Sequence, residues 1–325
     1  MKVLLRALLV LLLLAGVGGL ILYLNPLWVA DQQIRLRLWH EGVKSEYVDA
    51  GGYRLHYFEA QPVNGGGAPL LLIHGLGARG EDWSMMIPAL AASGFHVYAP
   101  DLPGYGRSSR PRDAEYSITM EEAAVAAFAR ALHLTHTSVG GWSMGGWIAM
   151  KLTLDHPQMV DRLVVYDSAG VYFPANFGAE LFVPGDAPGI TRLMKMLSPH
   201  PQPLPEFVAR DILRKFARNG WVIERSMGAM TGGRDLLDFR LQDIHQPTLV
   251  VWGAEDELIP LAVGRRIHEL IPNSALRIVE GCGHLAPLEC WKPVAATTEA
   301  FLHAQPAMEG GEQVLASGYS SSAPH

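Results

Sequence analysis

Residues 137–150 read TSVGGWSMGGWIAM, a short β-type run that turns through Gly141-Trp142-Ser143-Met144-Gly145 into a helix-type run. The turn is G-x-S-x-G, and its position between a strand and a helix is the context that gives the pattern meaning. A residue on so sharp a turn takes an unfavourable backbone conformation. Side chains two positions to either side would collide, which accounts for glycine at both flanks. Ser143 then projects its hydroxyl above a sheet, with a helix N-terminus behind it that favours negative charge. The bland alternative is a glycine-rich turn with an incidental serine; the strand and helix around the motif argue against it.

A serine hydroxyl is a poor nucleophile without a base, so this reading demands a histidine held by a carboxylate, in the chain order Ser, Asp or Glu, His. His284, in EGCGHLAPLE, follows the last β-type run on a glycine loop. Asp256, in VVWGAEDELIP, leaves the preceding run. The order is right. Asp167, in VVYDSAG, is the rival acid, while Glu255 and Glu257 read as solvated neighbours. His56, His96, His133 and His136 show no partner spacing and read as surface or packing residues.

Residues 70–80, LLLIHGLGARG, admit two readings. Gly75, Gly77 and Gly80 satisfy G-x-G-x-x-G, and Asp101 lies at the end of the next apolar run, as a dinucleotide fingerprint would require. In the competing reading the N–H groups of Leu76 and Met144 face a developing oxyanion, and His74 braces the loop without transferring a proton. A sheet has one carboxyl edge, and three of its loops are already committed to a nucleophile, an acid and a base. The glycine fingerprint is then a coincidence, and Asp101 opens the turn-rich DLPGYGRS.

Around these motifs β-type and helix-type runs alternate, the signature of a mostly parallel sheet covered on both faces. Eight strands are expected: SEYVDA, YRLHYFEA, PLLLIH, FHVYAP, TSVGGW, RLVVYD, PTLVVWG and ALRIVE. The first two alternate in polarity like an antiparallel edge pair, and the later ones are nearly all apolar, as strands buried on both faces must be. TMEEAAVAAFARAL opens with Thr119 and Glu122 spaced as a capping box. Between the sixth and seventh strands the alternation fails, and proline-rich turns separate three helical pieces, ITRLMKML, EFVARDILRKFA and WVIERSMGAM. Residues 45–173 and 235–304 therefore form a core, 174–234 a helical cap, and 305–325, rich in Gly, Ser and Ala, a disordered tail.

Five motifs, HGLG, DLPGYGRS, GWSMGG, GAEDELIP and GCGHLAPLE, stand in the order and spacing of the α/β-hydrolase fold family, which the chain resembles over about residues 45–303. The resemblance implies an α/β fold and a serine carboxylic ester hydrolase. Ser143 would be its nucleophile, His284 its base, Asp256 its orienting acid, and the N–H groups of Leu76 and Met144 its oxyanion donors. It implies no metal and no organic cofactor. An N-terminal apolar segment, the cap and the elbow look most like the membrane-anchored monoacylglycerol lipase branch and its bacterial relatives, with a lipid or medium-chain ester as substrate. Related branches hydrolyse carbon–carbon bonds or serve as ligand receptors with the same triad.

Composition sets the remaining bounds. A formal charge of -6 without a basic run excludes condensation on nucleic acid. Cys282 and Cys290 are the only cysteines, too few for a disulfide scaffold and wrongly spaced for zinc; the sequence leaves their pairing open. Residues 7–24 carry no charge, and at ~1.5 Å per residue they reach about 27 Å, close to a bilayer core. Lys2 and Arg6 precede them. The apolar run continues past Gly16, Gly18 and Gly19, so residues 1–24 are expected to stay as a single-pass anchor, with 25–44 as a juxtamembrane linker and the catalytic part outside the cytoplasm. The alternative is a cleaved signal peptide and a secreted protein.

Overall fold

The computed structural model describes residues 2–305 and 310–316. One sheet is formed by β1 (Lys44–Ala50), β2 (Tyr53–Ala60), β3 (Ala68–Ile73), β4 (Phe95–Pro100), β5 (Thr137–Trp142), β6 (Val160–Tyr166), β7 (Thr248–Gly253), β8 (Ser274–Val279) and β9 (Gly311–Leu315). Their order is β1-β2-β4-β3-β5-β6-β7-β8-β9, antiparallel from β1 through β2 to β4 and parallel from β4 onward. The described helices are α1 (Lys2–Leu24), α2 (Pro26–His40), α3 (Met86–Ala92), α4 (Ile118–Ala131), α5 (Met144–Asp155), α6 (Ala187–Leu197), α7 (Glu206–Thr231), α8 (Leu261–Leu270), α9 (Ala286–Glu289) and α10 (Trp291–His303).

The apolar central strands feed two cores because successive side chains point to opposite faces. Leu71, Ile73, Leu163, Val165, Val250 and Trp252 meet α4, α5 and α8 on one face. Leu70, Leu72, Val164, Tyr166, Leu249 and Val251 meet α3 and α10 on the other. Each such side chain contributes about 1.5–3 kcal/mol of burial, so a one-residue slip in any of these strands would exchange one core's residues for the other's.

Several expectations are corrected. The sheet has nine strands: β9 lies in the segment read as a disordered tail and pairs with β8, from Ala275 opposite Gly311 to Val279 opposite Leu315. Without it β8 would present an unpaired edge, and Arg265 adds a two-pronged ion pair to Glu312. The rest of that tail, 306–309 and 317–325, lies outside the described residues. The juxtamembrane linker is largely a helix, α2, with Pro26 suited to its first turn. Its exposed Trp28, Leu36 and Trp39 and its buried Pro26 and Leu38 form no single inward stripe that would announce it.

The second and third helical pieces of 174–234 are one helix, α7. Packing of Val222, Ile223 and Met227 into the core overrides the turn signal of Asn219-Gly220. The N-cap of α4 is Ser117, whose Oγ accepts the Met120 N–H, and Thr119 instead donates to Asp235 at 2.6 Å.

The apolar α1 has no buried residue and is long enough to cross a membrane. Its C-terminal end is fastened to α7. Tyr23 stacks on Phe207 and lies under the Arg210 guanidinium. Arg210 and Arg214 donate to the Tyr23 and Leu24 carbonyls, and Asp211 accepts the Leu27 N–H. Farther along α2, Asp31 receives both terminal nitrogens of Arg79, and Arg35 pairs with Glu81.

Candidate active site

Ser143 sits between β5 and α5 at φ 57 and ψ -120, a conformation that costs a side-chain-bearing residue about 1–3 kcal/mol. The flanking glycines permit it. A Cβ on Gly141 would strike the Gly145 carbonyl, and one on Gly145 would strike the carbonyl oxygens of Ile73 and His74. The collision inferred from the motif is thus real for Gly141, while Gly145 answers to β3, which α5 crosses at backbone contact. The Ser143 N–H donates to the Tyr166 carbonyl at 2.9 Å and pins the turn to β6.

Asp256 leaves β7 in a tight turn. Its Oδ1 accepts the N–H groups of Leu258 and Ile259 at 2.9 and 2.8 Å, which leaves Oδ2 to accept His284 Nδ1–H at 2.8 Å. In the neutral ring the opposite nitrogen, Nε2, then carries the lone pair and accepts the Ser143 hydroxyl at 3.0 Å. His284 is held from behind, since Trp142 Nε1–H donates to its carbonyl at 2.7 Å and a Cys282–Cys290 disulfide closes its loop. Both Asp256 and His284 are buried. The rival acid, Asp167, is also buried, but its Oδ1 accepts the Gly253 N–H at 2.7 Å. Burial first, and then the neighbouring Asp256 charge, push its pKa well above the carboxylate range. Its charged form is thus disfavoured beside Asp256, the carboxylate that faces the histidine.

The loop after β3 brings Gly75 and Leu76 into one cavity of about 230 Å³ with Ser143 and His284. His74 donates Nδ1–H to the Gly75 carbonyl at 2.8 Å and accepts the Leu102 N–H on Nε2 at 3.0 Å. Burial lowers its pKa to about 4, so it stays neutral and structural. The Met144 N–H lies in the first turn of α5, where a helix offers no acceptor of its own. Leu76 lines the same cavity as Ser143, and Met144 follows Ser143 directly at the start of α5.

The dinucleotide reading of this loop fails on Asp101. Its Oδ1 accepts the Gly80 N–H at 2.7 Å, and its Oδ2 accepts the Arg107 N–H and His56 Nδ1–H, each at 2.8 Å. It is a buried pin between loops with no face toward a ribose. Sequence reasoning missed the His56–Asp101 pair, and His56, read as having no partner, also meets Ser45 at 3.0 Å. His96, likewise, pairs with Glu59.

On the other side of Ser143 a cavity of about 350 Å³ runs under the segment inserted after β6. Phe173, Phe177, Phe182, Met227, Met230 and Leu236 dominate its wall, and among the described residues no Lys, Arg, His, Asp or Glu lines it. Among the described residues no His, Cys, Asp and Glu cluster is suited to hold a metal ion.

A serine, histidine and aspartate in hydrogen-bond contact at the carboxyl edge of a largely parallel sheet are the apparatus of a hydrolase. The chain belongs to the alpha/beta hydrolase fold family, whose model matches residues 68–289. It is 30% identical over 269 residues to 2-hydroxymuconate semialdehyde hydrolase of Pseudomonas sp. (strain CF600), covering 78% of this chain and 92% of that protein. It is 28% identical over 268 residues to Lipase 3 of Moraxella sp. (strain TA144), covering 78% and 82%. Among solved structures it is similar to a membrane phospholipase A described as a novel bacterial virulence factor, with a TM-score of 0.78, 28% identity, and coverage of 93% of this chain and 98% of that one.

Proposed function

We propose that the protein is a membrane-anchored serine hydrolase of lipid carboxylic esters, acting through an acyl-enzyme. The 350 Å³ cavity beside Ser143 carries this reading, because a wall of aromatic and methionine side chains without one charged group suits an acyl chain. The carbon–carbon hydrolases among the relatives include one named for a hexadienoic acid, and a carboxylate in this cavity would be desolvated without a cationic partner.

In the mechanism, Ser143 Oγ attacks the ester carbonyl as its proton passes to His284 Nε2, and Asp256 stabilises the imidazolium. The Leu76 and Met144 N–H groups hold the tetrahedral oxyanion. Collapse breaks the bond to the alcohol, which leaves with the proton from His284. Water, deprotonated by the same nitrogen, then attacks the acyl-enzyme and frees the acid and Ser143.

The fully exposed α1 supports retention of the N-terminal segment as an anchor, and its bonds to α7 give that segment a place in the folded protein. A disulfide beside His284 suits a catalytic domain on the oxidising, non-cytoplasmic side. A p-nitrophenyl ester series tests the substrate class. Each buried CH₂ is worth about 0.8 kcal/mol, so kcat/KM is expected to rise about fourfold per carbon from acetyl until the cavity is filled. A maximum at acetyl, or faster cleavage of a dienoate carbon–carbon bond, would refute the proposal.

A further inference from the structure

A third cavity, of about 270 Å³, lies on the side of the active site that faces the N-terminal helices. Gly77, Ala78, Phe216 and Ile223 wall both it and the cavity holding Ser143 and His284, so the two are neighbours. Leu27, three residues beyond the end of α1, also lines it. Its character is opposite to that of the acyl cavity. Arg79, Arg110 and Lys215 bring three cations to its wall, Asn219 adds an amide, and among the described residues no carboxylate lines it.

The three cations are not equivalent. Arg79 is neutralised by Asp31 and Glu81. Arg110 Nε donates to the Gly104 carbonyl at 2.6 Å, and Arg110 has no ion pair among the described residues. Lys215 makes no hydrogen bond or ion pair among the described residues; burial first, and then Arg79, hold its pKa below the ordinary lysine value against the weaker opposing pull of Asp82, Asp31 and Glu81, none of which lines the cavity. An anion placed between Lys215 and Arg110 would relieve both. A phosphodiester is such an anion, and Lys binds phosphate as a compact point charge.

We propose that this cavity is a headgroup subsite, taking the phosphodiester of a glycerophospholipid whose acyl ester lies at Ser143. The inference rests on the ester-hydrolase reading and sharpens it from lipid esters in general to anionic phosphate-bearing ones. Gly77, at φ 72, stands in the wall the two cavities share, where an added Cβ would lie 3.3 Å from Ile223 Cδ1.

The test uses the full-length protein in neutral detergent micelles with two substrates of one acyl chain, 1-dodecanoyl-glycero-3-phosphoglycerol and 1-dodecanoylglycerol. The wild type is expected to favour the phosphate-bearing substrate. In Lys215→Met, which keeps an apolar stem, the ratio of the two kcat/KM values is expected to fall about tenfold, and in Lys215→Arg to recover. A ratio unmoved by Lys215→Met, or a proportional fall for both substrates, overturns the subsite. Glycerol 3-phosphate is the probe for a free phosphate ester. If it competes as strongly as the phospholipid, the lipid assignment is overturned; weak competition supports it. Absence of any hydrolysis of p-nitrophenyl dodecanoate by the wild type overturns the ester-hydrolase reading itself, and the subsite with it.

Discussion

Replacing Asp256 by asparagine is expected to invert the function of His284 without unfolding the site. Oδ1 of Asp256 accepts two backbone N–H groups, from Leu258 and Ile259, and an asparagine satisfies them only by turning its carbonyl oxygen toward them. Its NH₂ group then occupies the place of Oδ2 and points at His284 Nδ1, which must become an acceptor. The ring proton moves to Nε2, and the nitrogen 3.0 Å from Ser143 Oγ can no longer take the hydroxyl proton. Loss of the correct tautomer costs about 10⁴ in kcat, or roughly 5 kcal/mol of transition-state stabilisation. Asp167→Asn is the control. Asp167 does not face His284 and burial already disfavours its charged form, so an uncharged amide that keeps the Gly253 N–H bond leaves the tautomer of His284 unchanged, and a loss below about tenfold is expected. The assay is kcat on p-nitrophenyl butyrate, with circular dichroism to verify folding. Equal losses in the two folded variants, or a larger one for Asp167→Asn, would refute the assignment of the acid.

Two further predictions concern stability. Glu121 is fully buried, neither carboxyl oxygen has a partner among the described residues, and burial raises its pKa well above the ordinary value. The folded state therefore holds a proton that the unfolded chain releases, stability falls as pH rises above about 4.5, and Glu121→Gln is expected to raise Tm more at about pH 8 than at about pH 5; an equal gain at both contradicts the linkage. Asp31→Ala removes the charged acceptor that joins α2 to Arg79 and should cost about 2 kcal/mol locally, speeding hydrogen exchange of α2 amides about thirtyfold; unchanged exchange would show that the pair does not hold the helix.

What was legible in the sequence follows the range of the interactions involved. Strands β3 to β8 were readable because burial on both faces demands unbroken apolar runs, as in Leu70 to Ile73. Ser143, Asp256 and His284 were readable because each follows a strand end, and the chain order of the three is diagnostic. Long-range packing was not readable. β9 depends on the free edge of β8, α2 is held by Asp31 and Arg35 reaching residues near 80, and α7 runs through Asn219-Gly220 on the strength of its neighbours. The His56–Asp101 pin needed the antiparallel pairing of β2 with β4 before the two residues could meet. Thr119 carried the right letters for a cap, but Ser117 took that place, two residues earlier.

The fastening of α1 to α7 makes α7 a strut and not a flap. One end is clamped to α1 through the Tyr23–Phe207 stack and the two arginines that grip its last carbonyls. The far half is wedged into the core by Val222, Ile223 and Met227. A beam supported at both ends resists bending, so α7 cannot lift off Ser143 without unstacking from Tyr23 or withdrawing three buried side chains. The other slope of the roof, between β6 and α6, has no such beam: Phe173, Phe177 and Phe182 sit on a span whose only helix is the single turn Ala179–Leu181, and their side chains pack it against the core.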